Sequence, residues 1–291
     1  MAAGRPLPGV ARRLANGEHM KLYICADIEG VAGVVKSEQC SPGNTEYERA
    51  RRLMTEEVNA AVEGGLAAGA NEIVVNDAHG PMTNLLPELL HPAAELILGK
   101  PKPLNMFAGL TKDFDAVLCI GHHAAAGGFG VLAHTTNGFA FRAVRINGRA
   151  LGEPGIYGAY AGSLGVPVAL ISGDDRCANE NRELFPQAEM VVVKSALGSN
   201  AARNLPLQSA RQVIREGTTR ALERLGSLKP FIIESPFELE FELNHGALAD
   251  LAEALPPARR IDARRVQLPA ASLADVIGWM NAISAMSAFL R

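Results

Sequence analysis

Acidic side chains and histidines stand directly after three apolar segments of this sequence. Carboxylates and imidazoles are common ligands of divalent metal ions in proteins. Buried together without a partner, two carboxylates would repel each other, and a cation relieves that cost. These residue types therefore favour a metal centre over three unrelated turns. The residues are Asp27, Glu29, His79, His122 and His123.

The elements that must position these side chains are the three apolar segments 21–26, 72–76 and 116–121. Their composition is that of strands buried on both faces. Open α/β sheets bind their ligands beyond the carboxyl ends of the strands. Because successive strand side chains point to opposite faces, Asp27 and Glu29 leave the sheet on the same side. The sequence thus predicts one site at one edge of a sheet.

Further candidates for this site have simpler interpretations as well. Neighbours in an extended segment point opposite ways, so only one of His122 and His123 faces the site, and the pattern does not choose between them. His134 suits a solvent-exposed loop histidine, although histidine is also the natural acid/base group near neutral pH. Glu153 suits either a helix N-terminal acid or a further metal ligand. Asp77 is a candidate partner that fixes the tautomer of a liganding imidazole.

The order of the remaining elements predicts the fold class. Strand and helix patterns alternate, which indicates an α/β fold with a mostly parallel sheet flanked by helices. A small-residue helix is predicted over 157–164, and a terminal amphipathic helix over 273–290. Apolar and acidic residues alternate strictly over 237–243, which is typical of a half-buried antiparallel strand. We therefore predict a catalytic α/β domain over 20–196 and a smaller α+β domain over 197–291.

Composition excludes several classes of function. The 291 residues carry a net charge of −3 without a basic run, so nucleic acid is not an expected partner and a small molecule is. Four cysteines without a CxxC pair suit a reducing compartment, and we expect a cytoplasmic protein. No apolar run approaches the length of a membrane span, so no membrane partner is expected. Residues 1–19 lack the apolar region of a secretory signal and are predicted to be a disordered leader or extension, with Met20 as an alternative start.

Taken in order, five short motifs resemble the D-aminopeptidase family of zinc metallopeptidases, the DppA type. Each motif alone is weak, but five in sequence with suitable intervals are specific. The resemblance runs from about Met20 to the C-terminus. The motifs are Asp27-x-Glu29-Gly30, Asn76-Asp77-x-His79-Gly80, Gly121-x-His123-Ala124, Ala133-His134-Thr135 and Gly152-Glu153.

This resemblance implies a site for two zinc ions in which Asp27 bridges both. It selects His123 over His122 as a ligand, and it makes His134 the catalytic histidine beside the metals. Manganese or cobalt would also suit these ligands. The implied ligands are Asp27, Glu29 and His79 for one ion, and Asp27, His123 and Glu153 for the other.

The function implied by the resemblance is a metallo-aminopeptidase. It would release the N-terminal D-amino acid from short peptides or amides through a dinuclear metal-activated water. The family also implies a homo-oligomer, a ring-shaped decamer of two pentamers, whose enclosed sites admit only short peptides. Two alternatives are a dinuclear metal phosphoesterase and a non-catalytic, metal-containing peptide-binding protein.

Overall fold

The computed structural model describes residues 19–291, so the predicted leader lies outside the described residues except for His19. The strands are β1 (Lys21–Ala26), β2 (Glu72–Asp77), β3 (Ala94–Ile97), β4 (Ala116–His122), β5 (Phe141–Ile146), β6 (Arg149–Ala150), β7 (Val168–Asp174), β8 (Glu189–Gly198), β9 (Ala201–Asn204), β10 (Phe237–Leu243), β11 (Arg259–Arg260) and β12 (Arg265–Ala270). The α-helices are α1 (Thr45–Ala67), α2 (Glu153–Ser163), α3 (Asp175–Asn181), α4 (Leu207–Glu223), α5 (Gly246–Glu253) and α6 (Leu273–Ser287).

Seven strands form the first sheet, in the order β3-β2-β1-β4-β7-β8-β9. All neighbours pair in parallel except β8 and β9, which form an antiparallel hairpin at one edge. The predicted α/β class with a mostly parallel sheet is confirmed. Strand β1 lies between β2 and β4, so the three segments that carry the candidate ligands are direct neighbours.

Both faces of this sheet are buried, as the continuous apolar strands predict. Leu22 and Ile24 of β1 point into a core shared with α1 and α4. Tyr23 and Cys25 point into a second core, shared with α2, α6 and the second sheet. Because each strand contributes to two cores, its backbone is fixed from both sides, and the residues that follow its last hydrogen bond emerge in fixed directions.

Five antiparallel strands form the second sheet, in the order β11-β12-β10-β5-β6. The strand predicted over 237–243 is β10, which lies at its centre. The two sheets do not follow the predicted boundary between residues 196 and 197. Strand β9, after the boundary, belongs to the first sheet, and strands β5 and β6, before it, belong to the second. The division into domains 20–196 and 197–291 therefore remains a prediction, and the sheets alone would draw it elsewhere.

The C-terminal helical segment Leu273–Leu290 departs from one expectation. It has a mean hydropathy of 1.4 and is long and apolar enough to cross a membrane, so the prediction that no apolar run reaches this length is wrong. A core helix of a globular protein meets the same two criteria. Residues Val276, Ile277, Met280 and Ile283 are fully buried in the core that also receives the second sheet. A single helix packed in this way is weak evidence for a membrane span.

Candidate metal centre

The candidate ligands come together at the carboxyl edge of the first sheet, as the sequence predicts. Asp27 and Glu29 follow β1, His79 follows β2, and His123 follows β4. Glu153 is the first residue of α2, four residues before the predicted helix start. There Gly152 is the N-cap and Pro154 occupies the first turn, a position whose fixed backbone angle suits a helix start.

One group of ligand atoms belongs to Asp27, Glu29 and His79. Nδ1 of His79 lies 3.2 Å from Asp27 Oδ1 and 3.0 Å from Glu29 Oε2. Nε2 of the same ring lies 2.8 Å from the carbonyl oxygen of Cys40. A carbonyl only accepts hydrogen bonds, so Nε2 carries a proton and the neutral ring offers the lone pair of Nδ1 to a cation.

A second group belongs to Asp27, His123 and Glu153, and a third, formed by Glu29, His123 and His134, shares one residue with each of the others. Nε2 of His123 lies 3.5 Å from Asp27 Oδ2 and 3.4 Å from Glu153 Oε2. Its Nδ1 lies 2.9 Å from the carbonyl oxygen of Ala124, which again leaves the other nitrogen free as a lone-pair donor. The first two groups share Asp27, whose Oδ1 faces one histidine and whose Oδ2 faces the other.

The donor atoms of the two groups fit divalent cations. Glu29 Oε2, His123 Nε2 and Glu153 Oε2 are buried and have no hydrogen-bond partner of good geometry among the described residues. Buried polar atoms are nearly always satisfied, and each exception needs an explanation. These three atoms belong to one cluster of carboxylate oxygens and imidazole nitrogens, which is a donor set for zinc and related ions.

The ionisation of the cluster reflects close opposite charges. Burial would raise the pKa of Asp27, but the nearby imidazoles of His123 and His79 hold that pKa well below its usual range. Burial would likewise lower the pKa of His79, but Glu29 and Asp27 raise it well above its ordinary value. Glu153 and Asp27 raise the pKa of His123 in the same way. Without a cation, imidazolium charge thus balances the carboxylates; a divalent ion would take over that role.

His134 lies beside both groups. Its Nε2 is 3.9 Å from Glu29 Oε1 and 3.9 Å from Glu153 Oε1. Its ring stacks on that of His123, with the ring centroids 4.1 Å apart. Its Nδ1 lies 2.9 Å from the carbonyl oxygen of Leu132, so the neutral ring presents Nε2 as the free base. The side chain is 24% exposed, whereas those of Glu29 and Glu153 are 6% and 3% exposed, so His134 forms the solvent side of the site.

His122 and Asp77 lie outside the groups of candidate ligands. His122 is buried with both ring nitrogens unpartnered, and burial lowers its pKa. Its Nδ1 lies 4.0 Å from Glu153, farther than either nitrogen-to-carboxylate distance of His123. Asp77 does not contact the His79 ring, so the prediction that it fixes the imidazole tautomer is wrong; the Cys40 carbonyl does so. The Asp77 carboxylate instead accepts hydrogen bonds from Asn84 and Leu85.

Two glycines of the predicted motifs allow the ligand segments to approach each other. A Cβ at Gly30 would collide with the carbonyl of His122 and with the backbone of Gly121. A Cβ at Gly121, whose φ is +74°, would collide with the carbonyl of Asp27. The Gly30 amide donates to the Gly121 carbonyl at 2.7 Å. The segment that follows β1 therefore touches the last residues of β4 backbone to backbone, which brings the side chains of Asp27 and His123 close together.

Sequence reasoning missed three contacts that hold the ligands. The amide of Thr136 donates to Glu153 Oε1 at 2.6 Å. The Cys40 carbonyl orients His79. The ammonium of Lys194 donates to three carbonyls of the segment that carries Glu29. Two of the three are backbone contacts, which leave no trace in residue type, and a lysine in a sequence is most often a surface residue.

Comparison with known proteins agrees with the geometry. A family model described as D-aminopeptidase matches residues 20–282. The D-aminopeptidase of Bacillus subtilis (strain 168) is 37% identical over 237 residues, which cover 81% of this chain and 86% of that protein. A solved structure of the Zn-dependent D-aminopeptidase DppA from Bacillus subtilis, described as a self-compartmentalizing protease, matches with a TM-score of 0.89 and 33% identity. That match covers 91% of this chain and 97% of the other, so the fold is the one seen in DppA.

Proposed function

This chain belongs to the D-aminopeptidase family and is a zinc-dependent aminopeptidase, and from that premise we propose that it removes an N-terminal D-amino acid from short peptides or amides at a two-metal site. The observation that carries the two-metal part is the pair of ligand groups that share Asp27. A single closed structural zinc site, by contrast, is typically rich in cysteine and histidine.

We assign the residues of the two groups as the ligands. Asp27, Glu29 and His79 would hold one ion, and Asp27, His123 and Glu153 the other. Three carboxylates and two neutral imidazoles leave a small positive excess against two divalent ions. When bound, such a pair of ions polarises the scissile carbonyl and makes water nucleophilic near neutral pH.

His134 is the group that we assign to proton transfer. Its Nε2 faces the gap between Glu29 and Glu153, while its Nδ1 stays hydrogen-bonded to the Leu132 carbonyl. The neutral ring can therefore accept a proton at Nε2 from the attacking water and return it to the departing amine. Stacking on His123 holds the ring plane in place.

The assembly and location are part of the same proposal. We propose a homo-oligomer of two stacked pentameric rings, supported by the description of DppA as self-compartmentalizing. Enclosed sites would restrict substrates to short peptides. A cytoplasmic location is supported by four cysteines that are all free and buried.

The test compares wild type with His134→Ala. Zinc-loaded protein and a chelated control are assayed with D-alanine and L-alanine p-nitroanilide, and metal content is measured on the same samples. We expect zinc-dependent cleavage of the D form and a loss of roughly 10²–10⁴-fold in His134→Ala at unchanged metal content. His91→Ala controls for the substitution itself, because His91 precedes β3 at the amino edge of the first sheet, opposite the carboxyl edge that carries the site.

Other outcomes of this test would contradict specific parts of the proposed function. Loss of zinc together with activity in His134→Ala would make this residue a ligand. Equal cleavage of both stereoisomers would remove the D-specific part of the proposal. Faster turnover of an aryl phosphate than of any peptide substrate would favour the phosphoesterase, and binding of D-peptides without cleavage would favour the binding protein.

A further inference from the structure

The segment that follows β1 is buried although it has no regular secondary structure. Residues Asp27 to Ala32 are all buried, and they carry two of the candidate ligands. Buried backbone N–H and C=O groups require partners. Strand β4 supplies two of them, because the amides of Asp27 and Gly30 donate to the carbonyls of Ile120 and Gly121. The other partners must come from side chains and turns around the segment, which we extend to residue 34 and call the ligand loop (residues 27–34).

Lys194 satisfies the carbonyls of the ligand loop. Its side chain enters from β8, and the residue is only 1% exposed. The ammonium donates to the carbonyl oxygens of Glu29 at 2.5 Å, Val31 at 3.0 Å and Val34 at 2.6 Å. An ammonium group has three protons, and here each has one acceptor. Because all three protons of this buried lysine are donated to carbonyls of one loop, its role is structural and not that of a solvated surface charge.

Two amides of the ligand loop are satisfied by side chains. Glu57 of α1 accepts from the Ala32 amide at 2.9 Å, and Asn204 of β9 accepts from the Gly33 amide at 2.8 Å. Lys194 and Glu57 are buried groups that hold carbonyls and an amide of the same loop, and they carry opposite charges when both are ionised. Their opposite signs reduce the cost of burying either one.

The hairpin β8–β9 also reaches the loop that carries His134. The carbonyl of Ser199, at the hairpin turn, accepts from the Leu132 amide at 2.9 Å. The Leu132 carbonyl in turn lies 2.9 Å from His134 Nδ1. One hairpin therefore contacts the backbone on both sides of the site, through Lys194 on one side and Ser199 on the other.

We propose that Lys194 is a positioning residue that holds the ligand loop, and with it the Glu29 carboxylate, in place before any metal binds. It acts on Glu29, whose carbonyl it binds, and not on Glu153, which belongs to α2. Asp27, which both groups share, is held separately, because its amide donates to the Ile120 carbonyl of β4 at 2.8 Å. The inference rests on the metal assignment of the proposed function, but it concerns metal affinity and not the substrate.

The variant Lys194→Met keeps a long apolar side chain and removes all three donors. Three buried carbonyl groups then lose their hydrogen-bond donor. The ligand loop is expected to change its conformation so that these carbonyls reach other donors, which moves the Glu29 carboxylate. Residues that orient metal ligands from behind typically change metal affinity by roughly 10–100-fold when they are replaced. We expect a weakening of this order at one zinc site of the chain and a change below about threefold at the other.

The experiment titrates metal-free, full-length protein with zinc in the presence of a competing chelator. His79→Ala identifies which of the two affinities belongs to the Asp27, Glu29 and His79 group. Lys21→Met is the matched control, because Lys21 pairs with Glu72 at the opposite end of the first sheet. Equal weakening of both sites in Lys194→Met, or affinities equal to those of the control, would overturn the proposal.

A folding defect is separated from a positioning defect by the double variant Lys194→Met/Glu57→Gln. It removes the carboxylate that would otherwise lose its neighbouring cation, while the glutamine side chain introduced there keeps an acceptor for the Ala32 amide. Unfolding midpoints show how far stability returns. The selective loss of one zinc affinity is expected to persist in the double variant; its recovery would mean that Lys194 only balances charge.

A measurement on the wild type needs no variant. If Lys194 sets the ligand loop in advance, the amides of Val31, Ala32 and Val34 exchange with deuterium equally slowly with and without zinc. Protection that arises only on zinc loading would show that the metal orders the loop, which overturns the proposal. Peptide cleavage plays no part in these readouts. A protein that binds two zinc ions but cleaves no D-peptide would therefore refute the proposed function and leave this inference standing.

Discussion

The buried carboxyl group of Glu57 makes the stability of the protein depend on pH in a direction opposite to that of a paired surface acid. Burial raises its pKa to about 7 from an ordinary value of 4.5, although the Ala32 amide and Lys194 act to lower it. In the folded state this group therefore holds its proton to higher pH than in the unfolded chain. By linkage, its contribution to stability is complete below about pH 4.5 and is lost as the pH rises through about 7.

The size of this effect follows from the shift. Each pKa unit corresponds to about 1.4 kcal/mol, so the change from 4.5 to about 7 is worth about 3 kcal/mol between pH 4.5 and 7.5. Glu57→Gln is neutral at every pH and keeps an acceptor for the Ala32 amide. We therefore expect the variant to gain about 3 kcal/mol relative to wild type across this range, whatever the constant offset between them.

The assay is urea unfolding followed by circular dichroism, at fixed protein concentration and in excess chelator. Fixed concentration and chelator matter because both subunit association and metal binding shift apparent stability. Glu46→Gln, the same substitution at an exposed position of α1, is the control. A wild-type-to-variant difference that stays flat with pH would refute the raised pKa. A variant that loses stability relative to wild type as the pH rises would show that Lys194 lowers the pKa of Glu57 by more than burial raises it.

Other predictions concern the metal ligands and the packing around them. Asp27→Ala should lose both zinc ions of the chain and His79→Ala only one, as measured by metal analysis after dialysis; equal losses would contradict a shared Asp27. Gly30→Ala should lower the free energy of unfolding by at least about 1–3 kcal/mol, because its Cβ meets the His122 carbonyl. Wild-type stability there would mean that the two segments separate easily. Removal of zinc should lower the unfolding midpoint, since an ion present at 100 times its dissociation constant adds about 2.7 kcal/mol. An unchanged midpoint would show that the ions bind the unfolded chain equally well.

The strand ends that carry the candidate ligands could be predicted because an apolar segment and the acidic residues or histidines that follow it are both visible in the sequence. Apolar runs buried on both faces ended at Asp27 and near His79, and the structure places β1 over the predicted residues. The alternation along β4 could not choose between His122 and His123. The directions of these two side chains depend on the backbone conformation at Gly121, which is set by its contact with the segment after β1. Only the resemblance to a family supplied that choice.

The groups that hold the ligands could not be predicted from local sequence. Lys194 contacts carbonyls more than 150 positions earlier in the chain, and nothing near it marks it as buried. The Cys40 contact with His79 uses a backbone carbonyl, so the identity of residue 40 carries no signal. Such contacts follow from strand order and loop packing, which a single sequence specifies only through the whole fold.

The order of strands explains why Asp27, and not another carboxylate, is the residue common to both ligand groups. Strand β1 pairs with β2 on one side and β4 on the other, so the residue after β1 is adjacent to the ends of both neighbours. His79 reaches Oδ1 from the β2 side, and His123 reaches Oδ2 from the β4 side. A carboxylate after β2 or β4 would have only one of these histidines within reach. In this sheet, the end of the middle strand is the place from which one acid reaches both histidines, and the position of Asp27 in the proposed two-metal site is a consequence of topology as well as of chemistry.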